Sequence, residues 1–420
     1  MPGINNTQDE DPQVLAAPKG WRATFDSLQV LSYRWFWLAI LSSFAGVQMQ
    51  VLARGWLVYE LTGSPRALGL VSAAWGAMLM LFAPLGGVVA DRVEKRNLIV
   101  VTQSAAGVIA LVIAILISTD AIRLWHLVAA SLLSGAVLAF DLPARQAIVP
   151  DLVERHRIMN AIALYSGAIN VSRVVFPALG GLLVSAVGIA SVYYVVVGCY
   201  LLAVALLLRV PATGRRAVEA NASVRFHLAE GLSYIRRTPV LTVLLAMAVI
   251  PILFGMPYQL LMPVFAEDVF DVGVRGLGFL MAAVGVGALV GSLSVASLGD
   301  FRRKGLLLIG SAILFGLTLI CFALSRNFYL SLFFLFWTGV VNTAYLATNN
   351  TLLQTNVEDR VRGRVMSIYM MTVGLFGVGV LLAGEVAEHV GAPLAVAIGG
   401  GIVLLFTLAM ALGQPRLRRL

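Results

Sequence analysis

The stretch GVVADRVEKR at residues 87–96 decides how this chain folds. It places five charged side chains within six positions, between two long apolar runs at 67–90 and 97–118. A helix needs about 20 apolar residues to cross the ~30 Å hydrocarbon core of a bilayer, and both runs reach that length. Charged side chains are costly inside the core. The stretch therefore predicts a helical hairpin that crosses a membrane twice and turns at 91–96.

The composition extends this prediction to the whole chain. Of its 420 residues, 60% are hydrophobic and 12% are charged, and the mean hydropathy is +0.90. Soluble domains average about 25% charged residues, so the composition excludes a soluble enzyme, a disordered chain and a coiled coil. The alternating ten-residue segments of a transmembrane barrel do not occur. With 40 glycines, close contacts between helices in lipid are expected, and the predicted class is an all-α membrane protein.

Twelve apolar runs are long enough to span a bilayer. They cover 35–58, 67–90, 97–118, 124–146, 160–185, 189–208, 239–263, 276–298, 305–324, 329–353, 366–387 and 393–413. The polar residues before the first run lack the basic region and short apolar core of a signal peptide, so the first run is predicted to be a retained helix.

Lysine and arginine are distributed unevenly between the predicted loops. The two tails and the loops on their side of the membrane hold 24 of these residues, and the loops on the other side hold four. Cytoplasmic loops carry the excess of positive charge, so both termini are predicted to be cytoplasmic. The net charge of +9 then reflects orientation in the bilayer and contact with anionic lipid, and nucleic acid is not an expected partner.

This topology divides the chain into five segments. They are a cytoplasmic tail at 1–34, a six-helix lobe at 35–208, a cytoplasmic linker at 209–238, a second six-helix lobe at 239–413 and a tail at 414–420. In the linker, Val224–Ile235 has apolar residues at helical spacing. That spacing fits an amphipathic helix on the membrane surface or, equally, a solvated helical linker.

The two lobes are predicted to be repeats. Three groups of residues recur at offsets of 209, 207 and 203: Asp91 and Lys95 as Asp300 and Lys304, Arg155 and Arg157 as Arg362 and Arg364, and Gly181 as Gly384. Agreement of three groups at equivalent places indicates internal duplication. Duplicated lobes are pseudo-symmetric and place a substrate site at their interface, near the middle of the bilayer.

At this point the sequence resembles a known family. GVVADRVEKR matches the loop 2–3 signature of the major facilitator superfamily, G-x-x-x-D-R-x-G-x-[RK], except that Glu94 replaces the second glycine. More narrowly, TGSPRALGL (62–70), DLPARQAIVPDLV (141–153), NAIAL (160–164) and RGRVMS (362–367) resemble the branch that contains enterobactin exporters and drug-efflux proteins. Phe176–Gly181 also resembles the second half of the antiporter motif of span 5, although Phe176 stands where glycine is usual.

The resemblance implies a secondary active transporter of the plasma membrane that works by alternating access. It implies a monomer that exports a small drug or siderophore-like molecule in exchange for protons, with no cofactor. A facilitator or importer of a small metabolite is the alternative within transport, and a non-transporting receptor or scaffold is the alternative outside it. An enzyme is not expected, because no nucleotide-binding, metal-binding or nucleophile motif occurs in the sequence.

Polar side chains inside the spans are the candidates for substrate binding, since they usually face a cavity or a partner. By resemblance, spans 1, 4, 7 and 10 line the cavity and span 5 flanks it. The candidates are Gln50, Arg54, Arg173, Tyr258, Gln259, Asn342, Tyr345 and Asn349. The alternative is that such groups join helices by hydrogen bonds. For Arg54 a second alternative is snorkelling to the membrane surface, and Arg173 requires an anion, either Asp141 or an anionic substrate.

The carboxylates within or beside spans are candidates for proton coupling. They are Asp141, Glu385 and Glu60. Cys199 and Cys321 lie in apolar runs, and neither cysteines nor the four histidines form a metal-binding pattern.

Charged residues of the cytoplasmic loops form a predicted gate. By resemblance, Asp91 approaches the start of helix 11, near Arg362 and Arg364, and Arg92 or Arg96 pairs with Asp141. The repeat adds Asp300, Arg155 and Arg157. A helix N-terminus favours an anion, which supports the first contact. The alternative is that these charges only set the topology.

Overall fold

A computed structural model describes residues 25–212, 232–298, 303–414 and 417–419. Twelve helices within these ranges are long and apolar enough to cross a membrane, and the described residues contain no strand. The helices are α1 (Leu31–Thr62), α2 (Pro65–Arg92), α3 (Lys95–Ser118), α4 (Leu124–Leu152), α5 (Ile158–Val187), α6 (Ile189–Leu207), α7 (Pro239–Val269), α8 (Gly273–Leu298), α9 (Lys304–Leu324), α10 (Phe328–Thr355), α11 (Val361–Val390) and α12 (Ala392–Gly413). The predicted all-α membrane fold is confirmed.

The helices pack as two lobes, α1–α6 and α7–α12. Within the N-terminal lobe α2 crosses α4, and within the C-terminal lobe the equivalent helix α8 crosses α10. Between the lobes, α5 packs against α8 and α2 packs against α11. The loops that follow α2, α4 and α10 lie at one end of the bundle, which we call the basic end, and the loops that follow α1, α3, α7, α9 and α11 lie at the distal end.

Three features differ from the sequence prediction. Helix α1 begins at Leu31, because a preceding turn is tied to the start of α5: the Ser27 N–H donates to Asn160 Oδ1 at 3.0 Å, and Arg157 pairs with Asp26 at 2.8 Å. Helix α7 contains wide π-type turns at Pro251–Gly255 and Phe265–Val269. Helix α11 is interrupted at Leu375, between Gly374 and Phe376. Most of the predicted amphipathic helix, 224–231, lies outside the described residues.

The helix crossings inside the two lobes depend on close backbone contacts at glycines. A Cβ atom added to Gly86 of α2 would collide with the carbonyl oxygen of Ala139 in α4, and one added to Gly287 of α8 would collide with that of Phe336 in α10. Since lipid provides no hydrophobic force between helices, such close backbone contact is a main source of helix association.

The Gly287→Ala variant is expected to unfold at a lower temperature than the wild type. The added methyl group meets backbone, which cannot move aside as a side chain can, and overpacking of this kind costs about 1–3 kcal/mol. Thermal unfolding of purified protein measures the change. The matched control is Gly310→Ala in α9, where an added Cβ has no atom within 4 Å; it should be neutral or slightly stabilising. Equal stability of the two variants would contradict the assigned crossing.

Candidate functional site

A cavity of ≈ 390 Å³ lies between the two lobes, near the middle of the helices. This volume falls within the range of small-molecule sites. Most of its polar lining comes from the N-terminal lobe, namely Gln48, Gln50, Arg54, Ser72, Gln103, Ser134, Asp141, Arg145, Arg173 and Tyr200. From the C-terminal lobe Gln259 is the polar lining residue, beside Leu260, Pro263, Leu277, Met281 and Phe376.

Asp141 and Arg145 of α4 form a buried ion pair at the cavity wall. Arg145 Nε lies 2.5 Å from Asp141 Oδ2, and the side chains are 3% and 4% exposed, respectively. Arg145 Nη2 donates to Ser43 Oγ at 2.7 Å, Ser43 Oγ donates to Gln103 Oε1 at 2.7 Å, and Gln103 Nε2 donates to Asp141 Oδ1 at 3.0 Å. Thr102 donates to the same oxygen at 2.7 Å. The five side chains therefore form a network of hydrogen bonds across α1, α3 and α4, which the Asp141–Arg145 ion pair closes.

The network explains how a charged pair is tolerated inside the bundle. Buried ions are stable only when they are paired and their remaining hydrogen-bonding positions are filled, and removal of one partner typically costs about 3–5 kcal/mol. The sequence identified Asp141 as a candidate, but its pairing with Arg145 was not predicted. The spacing of four residues, which brings side chains together on a helix, was the available signal. No sequence signal identified Thr102 and Gln103 of α3.

Four predicted binding residues line the cavity. Gln50 accepts a hydrogen bond from the Tyr200 hydroxyl at 3.3 Å, and Gln259 faces the same space from α7. Arg54 donates to Ser131 Oγ of α4 at 3.3 Å, so its side chain is directed into the bundle and does not snorkel. Arg173 is an exposed residue of the cavity wall, and no hydrogen bond or ion pair joins it to the described residues. It is not paired with Asp141, whose partner is Arg145.

The other predicted binding residues lie outside the cavity lining. Tyr258 of α7 is buried in the apolar core, and Asn342, Tyr345 and Asn349 of α10 are buried inside the C-terminal lobe. Residues of α7 and α11 around Leu244 and Val365 cover this face of α10. The helical periodicity of polar residues identifies a face, and does not tell which neighbouring helices cover it. Among the described protein groups, Tyr345 OH and the amide of Asn349 have no hydrogen-bond partner.

Two glycine seams close the distal half of the space between the lobes. We use seam for the contacts of α2 with α11 and of α5 with α8. A Cβ added to Gly69 would lie 3.4 Å from the Cα of Gly384, and one added to Gly181 would lie 3.2 Å from that of Gly278. Both pairs lie in the halves of their helices nearest the distal end. The seams therefore bring backbones of the two lobes into direct contact at that end.

A set of polar contacts, which we call the latch, joins the lobes at the distal end. Tyr59 OH donates to Asp268 Oδ2 at 2.5 Å. The Ser64 hydroxyl and the Arg66 N–H donate to Glu388 Oε2 at 2.7 and 3.1 Å, and Arg66 Nε pairs with Glu385 at 3.0 Å. Tyr59 and Asp268 are 209 residues apart, so they occupy equivalent positions of the repeat and meet on its pseudo-twofold axis.

Two of the three candidate proton carriers, Glu385 and Glu60, lie at the distal end. Glu385 lies at the distal end, 45% exposed and paired with Arg66, and Glu60 is an exposed residue near the distal end of α1. Neither lines the cavity. Both had been placed by span length alone, and the helices extend beyond the predicted spans. Asp141 is the carboxylate among the cavity-lining residues.

The contacts predicted for the gate at the basic end are not formed in this structure. Asp91 has no ion pair with a described residue, and Arg96 donates to the Leu207 and Leu208 carbonyl oxygens at 3.1 and 3.0 Å rather than to Asp141. Arg92 is exposed, as is Arg155. Within the C-terminal lobe Arg362 donates to the Gln354 carbonyl oxygen at 3.2 Å, and Arg364 is also engaged. Asp300 lies outside the described residues.

Among the described residues, no group of three or more His, Cys, Asp or Glu side chains is arranged to hold a metal ion.

Cysteine accessibility tests which polar residues face the cavity. In a chain whose native cysteines are replaced by serine, Gln259→Cys should react with a membrane-impermeant thiol reagent at least tenfold faster than Asn349→Cys. The reason is that Gln259 lines the cavity, whereas Asn349 is 0% exposed. Labelling rates in intact protein in detergent give the comparison. Equal rates would show that Asn349 of α10 also faces the cavity.

Loss of the Tyr59 hydroxyl is expected to open the distal end. A hydrogen bond to a charged group contributes about 1.5–3 kcal/mol, so Tyr59→Phe should shift the ratio of closed to open molecules by about tenfold or more. Distances between spin labels at positions 120 and 326, in distal loops of the two lobes, report this ratio.

Tyr194→Phe is the matched control for that experiment. Tyr194 bonds Ser118 at 3.1 Å at the same end but within one lobe, so its loss should leave the distances unchanged. If Tyr59→Phe and Tyr194→Phe give the same distance distribution, the latch does not hold the lobes together.

Comparisons with known proteins agree with this architecture. The chain is 25% identical over 369 residues to the staphyloferrin A transporter of Staphylococcus aureus, with 85% of this chain and 90% of the relative covered. It is 26% identical over 397 residues to the multidrug efflux pump Tap of Mycolicibacterium fortuitum, covering 91% and 95%. It is 24% identical over 314 residues to the enterobactin exporter EntS of Shigella boydii, covering 74% of each.

Solved structures show the same fold. The nucleoside transporter NupG superposes with a TM-score of 0.72 at 14% identity, over 91% of this chain and 99% of that one. A bacterial homologue of the lysosomal transporter Spinster gives 0.70 at 15% identity, over 94% and 98%. The sequence model of the family described as "Transmembrane secretion effector" matches residues 22–419. The chain is a multi-pass integral protein of the plasma membrane and belongs to this transmembrane secretion effector family of the major facilitator superfamily.

Proposed function

We propose that the protein is a proton-coupled exporter of small organic molecules that works by alternating access. The observation that carries the proposal is a cavity between two repeated lobes, near the middle of the bundle, with seams and a latch at the distal end. Such a cavity can face one side of the membrane at a time if the lobes rock about the substrate. The efflux relatives support export as the direction of transport. The substrates in the names of these relatives are said of the relatives and not of this chain.

The excess of basic residues supports a cytoplasmic position for the basic end. The structure then corresponds to an inward-facing state, held by the seams and the latch. In the outward-facing state the basic ends of the lobes come together, and Asp91, Arg92, Arg155, Arg362 and Arg364 contribute to a gate there. The two sets of contacts compete, so that one opens when the other closes.

Asp141 is the residue that we propose for proton coupling. Protonation of its carboxylate would leave Arg145 without a counter-charge and weaken the bonds to Thr102 and Gln103. An uncompensated buried cation is strongly unfavourable, so the Arg145 side chain would move to contact a new partner. Because the network joins α1, α3 and α4, a change of protonation is transmitted to the positions of three helices around the cavity.

Asp141→Asn is expected to abolish proton-driven accumulation while leaving exchange intact. The amide mimics the neutral carboxyl group permanently, so substrate can still cross but protons cannot drive it. In everted membrane vesicles with an acid interior, accumulation of the active probe, drawn from enterobactin, staphyloferrin A and ethidium, should fall at least tenfold. Counterflow of the same probe in the absence of a pH gradient should persist.

Asp151→Asn is the matched control, because Asp151 forms an ion pair with Lys95 at the basic end, 2.5 Å apart, outside the cavity. It should retain proton-driven accumulation. Wild-type vesicles that equilibrate a probe without concentrating it under a pH gradient would identify a facilitator. Vesicles that move none of the probes would contradict export of these compounds.

A further inference from the structure

The charges that line the cavity do not balance. Its walls carry three arginines, Arg54, Arg145 and Arg173, and one carboxylate, Asp141. Since Asp141 and Arg145 neutralise each other, two positive charges remain. Acids of the distal end do not supply the missing negative charge to the cavity lining: Asp268 accepts from Tyr59, Glu388 accepts from Ser64, and Glu60 and Glu267 are exposed residues outside that lining.

The two remaining arginines make a weak hydrogen bond or none with the described residues. Arg54 has a single hydrogen bond, to a neutral hydroxyl at 3.3 Å, and Arg173 has no hydrogen bond or ion pair with a described residue. A guanidinium group carries five N–H donors and matches carboxylates in a two-pronged geometry. Two guanidinium groups that lack an ion-pair partner in the cavity wall favour the binding of an anion in the cavity.

The positive charge lies on one side of the cavity only. The repeat places Pro263 at the position equivalent to Arg54, at an offset of 209, and Phe376 at the position equivalent to Arg173, at an offset of 203. Both of these residues also line the cavity, so the C-terminal wall is apolar where the N-terminal wall is cationic. By contrast, Gln50 and Gln259 are equivalent at an offset of 209 and both line it.

We infer that the cavity selects amphiphilic organic anions that carry two acidic groups beside an apolar body. The acidic groups contact Arg54 and Arg173, the body packs against Leu260, Met281 and Phe376, and Gln50 and Gln259 orient polar atoms between them. This inference rests on the proposed transport function and narrows its substrate class. It separates the chain from exporters whose cavities select lipophilic cations.

Equilibrium binding of matched small probes tests the selection. The probes are naphthalene-2,6-dicarboxylate, 1-naphthoate, naphthalene-2,6-dimethanol and 1-naphthylmethylammonium, which share one apolar body and differ in charge. They are titrated into purified full-length protein by calorimetry at neutral pH. The dicarboxylate should bind at least tenfold more tightly than the diol, with the monocarboxylate between them and the ammonium weakest.

Charge-removal variants connect the preference to the two arginines. Arg54→Gln and Arg173→Gln should each weaken binding of the dicarboxylate about tenfold and leave that of the diol unchanged. Arg173→Lys should recover part of the affinity, because it keeps the charge but loses the fork geometry. Arg275→Gln, at an exposed position near the distal start of α8 outside the cavity, is the matched control. Thermal unfolding of each variant checks that it is folded.

The outcomes separate this inference from the proposed function. Equal binding of the diol and the dicarboxylate, binding of neither, tighter binding of the ammonium, or unchanged affinity in both glutamine variants would each overturn anion selection. Arginine-dependent binding of the dicarboxylate without its movement in vesicles would support the selection and count against export. Proton-driven movement of a cationic probe with no dependence on Arg54 or Arg173 would support the proposed export and overturn anion selection.

Discussion

Direct backbone contact at glycines is the constraint on which the rest of the structure depends. In lipid the apolar faces of helices gain nothing by leaving the solvent, so association relies on close packing. The crossings of α2 with α4 and of α8 with α10 hold each lobe, and the seams at Gly69, Gly181, Gly278 and Gly384 hold the lobes together at the distal end. The cavity is the space that these contacts leave between the lobes. Its depth and its closed end thus follow from where glycine occurs along four helices.

The repeat has been preserved in shape and changed in charge. Asp141 and Arg145 of α4 correspond, at an offset of 204, to Tyr345 and Asn349 of α10, the same offset that relates Gly135 to Gly339. Both pairs are buried and polar, but only the N-terminal pair is ionic. The N-terminal lobe also holds both unpaired arginines of the cavity. The proposed proton coupling and the proposed anion binding therefore both lie in one lobe, while the C-terminal lobe supplies an apolar wall and the acids of the latch.

The sequence allowed a large part of the fold to be predicted, and a smaller part of the site. The number of spans could be predicted because hydropathy is a local property of the sequence. The duplication could be predicted because residues recur at a nearly constant spacing. Gln50, Arg54, Arg173 and Gln259 were selected because intramembrane polar groups seldom face lipid, and the structure places all four in the cavity lining. Asn342, Tyr345 and Asn349 met the same criterion, yet they lie inside a lobe, since α7 and α11 cover that face of α10. The predicted contact of Arg92 or Arg96 with Asp141 is not formed in this structure. Asp141 pairs instead with Arg145, four residues along the same helix.

By itself, the sequence determined that this chain is a duplicated twelve-helix membrane protein with charged turns at one end, because the cost of placing charge and unpaired backbone in hydrocarbon leaves few alternatives. Only the tertiary structure decided which polar faces meet the cavity, that Asp141 is neutralised by Arg145, and that the lobes touch at the distal end. Those outcomes depend on how helices rotate and cross. Rotation and crossing are set by contacts between residues far apart in the chain, such as Gly69 with Gly384 and Tyr59 with Asp268.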